Sequence, residues 1–188
     1  MAKLVESVYG DALFEYAIEH EMIDDLVSEV DEVLEVFEDN PDFIKVMSRP
    51  RITMEEKRSL VETVFKGKIS DDLLGLFITI VDKSHFGDIQ RILRYFVSRV
   101  REYKNIGVAY ITTPMELSAA QKSDVEKRLL ETTGYTTIEA VYDIDPSLIG
   151  GIVIRIGDHI VDSSVKTKIE HLSRDLAKIQ LKVGEGVS

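Results

Sequence analysis

Apolar residues recur every three or four positions from Leu4 to about Tyr103 and then begin to alternate, so the chain predicts a helical first part and a mixed second part. On a helix running to His20, Leu4, Val5, Val8, Tyr9, Ala12, Leu13 and Tyr16 span an arc of roughly 180° at 3.6 residues per turn. Phe14 and Ile18 add apolar surface beyond that arc, more than a single contact uses. Met22, Ile23, Leu26, Val27, Val30, Val33, Leu34 and Phe37 give a second helix one stripe, with acids in the gaps. Asn40-Pro41 predicts the N-cap and first residue of a short third helix through Met47. Thr53 to Glu56 forms a capping box for a fourth, ending near Gly67. Ser70 opens a fifth, on which Leu73, Leu74, Leu76, Phe77, Ile78, Ile80 and Val81 cover more than half the circumference. A sixth follows Ser84 and Gly87, with Ile89, Ile92, Leu93, Phe96, Val97 and Val100 inward and Arg91, Arg94, Arg99 and Arg101 mostly outward. Six helices with short connections predict a bundle.

The period changes at Asn105-Ile106-Gly107, which divides the chain into a helical domain over 1–104 and a smaller α+β domain over 106–188. Val108 to Thr112 alternates as a strand. Ser118 to Gln121 is a second capping box, for a helix that carries Val125, Leu129 and Leu130 and stops at Gly134 as its C′ residue. Ile138, Ala140, Tyr142 and Ile144 then fall on one face of a strand. Asp145-Pro146-Ser147 turns the chain. Ile152, Ile154 and Ile156 alternate, Gly157-Asp158 suits a type II′ hairpin turn, and His159 to Asp162 returns. Ser163 or Ser164 can cap a last helix whose stripe, Val165, Ile169, Leu172, Leu176 and Ile179, is expected to hold the hairpin. The tail after Gln180 is expected to fray.

Composition narrows the function by exclusion. The chain has 188 residues and no cysteine, so a disulfide framework and a thiolate metal site are both absent. No apolar run approaches a membrane span, and the N-terminus has neither the basic nor the apolar region of a secretory signal. The net charge of −11 is carried by residues 1–50, with 14 acids against 3 bases; the rest of the chain is neutral. Such a field repels phosphate backbones and anionic lipid, so nucleic acid and direct membrane insertion are poor partners.

Catalytic chemistry finds weak purchase. Gly150, Gly151 and Gly157 lack the Gly-Lys-Ser/Thr ending of a phosphate loop, and a turn or close-packing role suits them better. His20, His85, His159 and His171 have no short ligand spacing, so neither a metal nor another cofactor is expected. Asp158, His159 and Asp162 with a hairpin serine would be the cluster of a small hydrolase, but Asp158 falls at a turn tip and Asp162 before a helix N-terminus, where a carboxylate has a structural use. The broad apolar faces of the first and fifth helices suggest a groove for an external amphipathic helix.

Three short runs carry a family resemblance: Asp145-Pro146-Ser147-Leu148-Ile149-Gly150-Gly151, Gly157-Asp158 and Asp162-Ser163-Ser164. They resemble the signature of the delta subunit of F-type ATP synthase, whose mitochondrial relative is the oligomycin sensitivity conferral protein. Tyr9, Ala12, Leu13, Phe14 and Ala17 match the family's first helix, and Pro114, Leu117 and Gln121 its midchain pattern, so the likeness covers nearly the whole chain. Ser163 stands where the family usually has glycine, and His85 where it usually has arginine.

The resemblance implies a non-catalytic subunit of the peripheral stalk, in a membrane complex on the cytoplasmic face of a bacterial cell membrane, supporting proton-driven ATP synthesis. It implies that the first domain holds the N-terminal helix of an alpha subunit and the second binds the C-terminal region of the b subunit. Tyr9 and Ala12 take the family's partner-facing positions; helical spacing adds Val5, Tyr16, Leu76, Thr79, Ile80 and Lys83 to the groove. Asp145, Pro146, Gly150, Gly151, Gly157, Asp162 and Ser163 form the structural motif. A hydrolase using residues 158–163, or a free-standing helix-binding scaffold, stays open on sequence alone.

Overall fold

The computed structural model describes the backbone of residues 2–184 and the side chains of residues 4–174. The protein is α+β, and it divides into two compact units, Met1–Tyr103 and Lys104–Ser188.

In the first unit the helices are α1 (Ala2–Glu19), α2 (Ile23–Asp39), α3 (Pro41–Met47), α4 (Met54–Phe65), α5 (Asp71–Asp82) and α6 (Ile89–Tyr103), the last preceded by a 3₁₀ turn at Phe86–Asp88. Local chemistry sets several of the ends. Thr53 Oγ1 accepts from the Glu56 amide while Glu56 accepts from that of Thr53, and Ser70 Oγ accepts from the Leu73 amide. Asn40 does something else: its side-chain amide donates to the Val36 carbonyl at 2.9 Å, closing α2 instead of capping α3. Inside, the Phe37 ring meets those of Phe43, Phe65, Phe77 and Phe86 at centroid separations of 5.7–6.2 Å. At the edges, the Glu29 carboxylate accepts from the Ser70 amide and hydroxyl, joining α2 to α5, and Arg58 pairs with Asp82 between α4 and α5.

The second unit has α7 (Ala119–Thr132) and α8 (Val165–Gly184) with β1 (Ile106–Thr113), β2 (Thr137–Ile144), β3 (Val153–Ile156) and β4 (His159–Asp162). The sheet order is β2-β1-β3-β4; β1 runs parallel to β2 and antiparallel to β3. The crossover from β1 to β2 carries α7, which packs on β2, and the core is built on Ala109, Ile111, Leu129 and Ile156. β1 is longer at both ends than the alternation over Val108 to Thr112 predicts, because Ile106 and Thr113 still find partners on β2.

Some expectations fail here for physical reasons. Gly134 is outside the left-handed region, and the Thr133 hydroxyl and amide both donate to the Leu129 carbonyl, ending α7 without a glycine cap. Ile144 is exposed, since it lies beyond α7's reach at the end of β2. The last helix does not hold the hairpin: Ile169 and Leu172 are 51% and 63% exposed, and α8 packs on the Pro146–Leu148 turn. Leu176 and Ile179 have side chains outside the described residues. The helix keeps its backbone to Gly184, past Gln180, and residues 185–188 also lie outside.

Candidate functional site

One side of α1 is committed to α6. A β-carbon on Gly10 would come within 2.4 Å of the Tyr95 ring, so glycine permits the close approach. Next to it, Asp11 accepts from the Tyr95 hydroxyl at 3.2 Å and from Arg99 Nε at 3.1 Å, and the Arg99 guanidinium lies 5.4 Å from the Phe14 ring centre. Burial, then the Asp11 charge, raises the Tyr95 pKa.

The opposite side of α1 reaches α5. The Tyr9 ring is 6.2 Å from that of His85, just past α5's C-terminal end, while hydrogen bonding to Asp72 at its N-terminal end, helped by desolvation, raises the Tyr16 pKa. Tyr9 and Tyr16 therefore mark the two ends of one α1/α5 face. Between them Ala12 is exposed on α1, as are Gly75 and Thr79 on α5 and Lys83 just past its end; Val5 and Leu76 are half-buried at the margin. Ile80 does not belong to this surface. It is 0% exposed, turned into the core, because α5 has apolar residues around most of its girth and the core takes Leu73, Phe77, Ile80 and Val81.

Three residues that extend this face were not assigned to it by spacing. Leu4 and Val8, 71% and 58% exposed, continue the apolar surface along α1. Gly75 sits in the middle of α5, and a β-carbon there would meet nothing within 4 Å. An isolated glycine in an apolar helix was the available signal, since it costs about 1 kcal/mol against alanine, and no described residue packs against its position.

In the second unit, the motif residues form a backbone clip. Asp145 accepts from the Ser147 amide at 2.9 Å, which starts the Pro146–Leu148 turn. Gly151 stands at φ +82°, and a β-carbon on it would lie 2.4 Å from the Ser163 carbonyl oxygen. Val165 donates its amide to the Gly150 carbonyl and Ser163 donates to Ile152, both at 2.9 Å. Gly157, at φ +55°, supplies the first position of the hairpin turn, while Asp158 keeps a negative φ, the type II′ pattern. Ser164 rather than Ser163 caps α8: it is fully buried and its hydroxyl accepts from the Thr167 amide at 3.2 Å.

Both Asp162 oxygens are engaged in that clip, one accepting from the Ser164 amide at 2.8 Å and the other from the Thr167 hydroxyl at 2.7 Å. These bonds, led by the Ser164 amide, hold its pKa below the ordinary carboxylate range. An aspartate so held is a poor proton acceptor, and Asp158 and His159 are exposed on the hairpin, so the residues do not converge as acid, base and nucleophile. Among the described residues, no group of three His, Asp or Glu side chains is placed to hold a metal ion, and no helix is long and apolar enough to cross a membrane.

The geometry leaves apolar side chains exposed on a two-unit α+β frame. Over residues 5–176 the sequence matches the family model described as ATP synthase delta (OSCP) subunit, and the chain belongs to that family, whose place is in the peripheral stalk of ATP synthase. It is 46% identical over 181 residues to the ATP synthase subunit delta of Lachnoclostridium phytofermentans, covering 96% of this chain and 100% of that one. The subunit delta of a Prochlorococcus marinus strain is 32% identical, with 93% and 97% covered. In solved structures, a chain of the Toxoplasma gondii mitochondrial ATP synthase hexamer shares the fold, with a TM-score of 0.71 at 19% identity over 92% of this chain and 97% of that one.

Proposed function

We propose that the protein joins the catalytic head of a bacterial ATP synthase to its b-subunit stator, working on the cytoplasmic face of the cell membrane and turning over no substrate itself. In this reading the first unit, a six-helix bundle over 1–104, holds the amphipathic N-terminal helix of an alpha subunit against the α1/α5 face. The second, over 106–188, binds the C-terminal region of the b subunit. The observation that carries the first contact is the open strip between Tyr9 and Tyr16, where Ala12 and Gly75 leave room for a helix backbone while Leu4 and Val8 stay uncovered. Small residues flanked by aromatic anchors suit a helix laid in a groove. Two such contacts on one chain act as a tether, since release at one end leaves the other holding, and combined hold can exceed either by roughly 10²–10⁴-fold.

The test is calorimetric titration of the full-length protein with a synthetic alpha-subunit N-terminal peptide. Ala12→Trp should weaken binding by about thirtyfold, or about 2 kcal/mol, with little change in melting temperature. Gly75→Leu separates binding from folding more sharply. It should weaken binding comparably yet raise the melting temperature, because leucine is the better helix former by roughly 0.5–1 kcal/mol and nothing crowds its β-carbon. Unchanged affinity in both variants would place the alpha contact elsewhere.

A further inference from the structure

The C-terminal unit leaves two apolar surfaces uncovered, and they belong to consecutive elements. On the sheet face that carries α7, the register sets Ile154 beside Val161 and Ile156 beside His159; Ile156 is already in the core, but Ile154 is only half-buried and Val161 is 57% exposed next to α7. Together with Val125 and Leu129 of α7 they line an open groove of about 840 Å³, to which no described residue of α8 contributes. The other surface is α8 itself, whose Ile169 and Leu172 follow Val165 at helical spacing and are more than half exposed. In a two-layer unit a helix stripe and a sheet face of this kind normally bury each other.

We propose that α8 folds back into this groove as a strap, and that the arrangement described above is its open form. The occupant is α8 because of connectivity. It leaves directly from β4, which is the groove's own wall, through Ser163 and Ser164, so its effective concentration there is on the order of millimolar before any outside helix arrives. Closing exchanges the packing of Val165 beside Gly150 and the short capping segment for burial of Ile169 and Leu172. A partner helix that enters the groove must then displace α8, which makes the strap a regulator of that surface. The inference rests on the groove and the helix alone and holds whether or not the b subunit is the partner.

The chain has no cysteine, so Glu131→Cys on α7 and Arg174→Cys on the side of α8 away from the stripe allow a clean pair of spin labels. Double electron-electron resonance on the full chain should give a short-distance population beside a long one. Ile169→Asp with Leu172→Asp should abolish the short population while circular dichroism stays unchanged; Ile169→Val with Leu172→Met should keep it. A single distribution in the unsubstituted pair, or a short population indifferent to the aspartates, overturns the proposal. So does a short population that grows with protein concentration, which would assign the groove to a second copy of the chain.

Discussion

At Gly151 two requirements meet: a left-handed backbone and a neighbouring carbonyl where a β-carbon would stand. Either alone costs about 1–2 kcal/mol, and the clash is with backbone, which cannot swing aside. Gly151→Val should therefore lower the stability of the C-terminal unit by more than about 2 kcal/mol, read as an earlier thermal transition, whereas Gly150→Ala, with an ordinary φ and only Val165 Cγ2 at 3.0 Å, should cost less. Equal effects would remove the clip from the account. Asp162 gives a pH signature of the same clip. Its folded pKa is depressed, so the stability it adds is present above the unfolded carboxylate value, about 3.9, and is lost as pH falls through the lower folded value. Melting temperatures between pH 7 and pH 2 should show Asp162→Asn losing less on acidification than the parent chain; parallel curves would mean that the amide and hydroxyl contacts carry no net charge preference.

Among the elements, Tyr142 adds hydrogen bonds to the apolar packing of α7 on β2. Tyr142 donates to Glu126 at 2.9 Å, approaches the Lys122 carbonyl at 3.3 Å, and has the Lys122 ammonium 5.0 Å from its ring centre. Burial, then the hydrogen bond to Glu126, pushes its pKa up to about 12. A raised pKa means that the contribution is complete below the unfolded tyrosine value, about 10, and fades as pH rises towards the folded one. Tyr142→Phe should cost about 1 kcal/mol at neutral pH and flatten the alkaline loss between those values, measured by urea unfolding followed on α7 helicity. No difference at either pH would show the contact to be replaced by water. α1 illustrates the other use of an element: Gly10, Asp11 and Phe14 fasten it to α6, which leaves Leu4, Val8 and Ala12 without cover.

At the scale of the whole molecule, the two compact units meet in sequence at Tyr103 and Lys104, and each has its own buried core. Fragments 1–104 and 106–188 should each melt cooperatively near the corresponding transition of the intact chain. If either fragment is unfolded by circular dichroism while the intact protein is folded, the boundary does not separate folding units.

What the sequence alone determined is everything governed by local rules. Helical periodicity located α1, α2, α5 and α6, the capping boxes at Thr53 and Ser118 fixed two helix starts, and Gly157-Asp158 fixed a hairpin, because these signals act within a few residues and survive any tertiary setting. The family could be read the same way, from short runs kept in order. Tertiary structure alone decided how apolar surface is shared. Spacing put Ile80 in the groove with Leu76, but the core claimed it, and spacing laid α8 on the hairpin, while Ile169 and Leu172 stand in solvent. Periodicity says that a stripe must be covered; which neighbour covers it depends on contacts between residues far apart in the chain. For the same reason Gly75 shows in the sequence as an isolated glycine in an apolar helix, but only three dimensions show that the space beside it is empty.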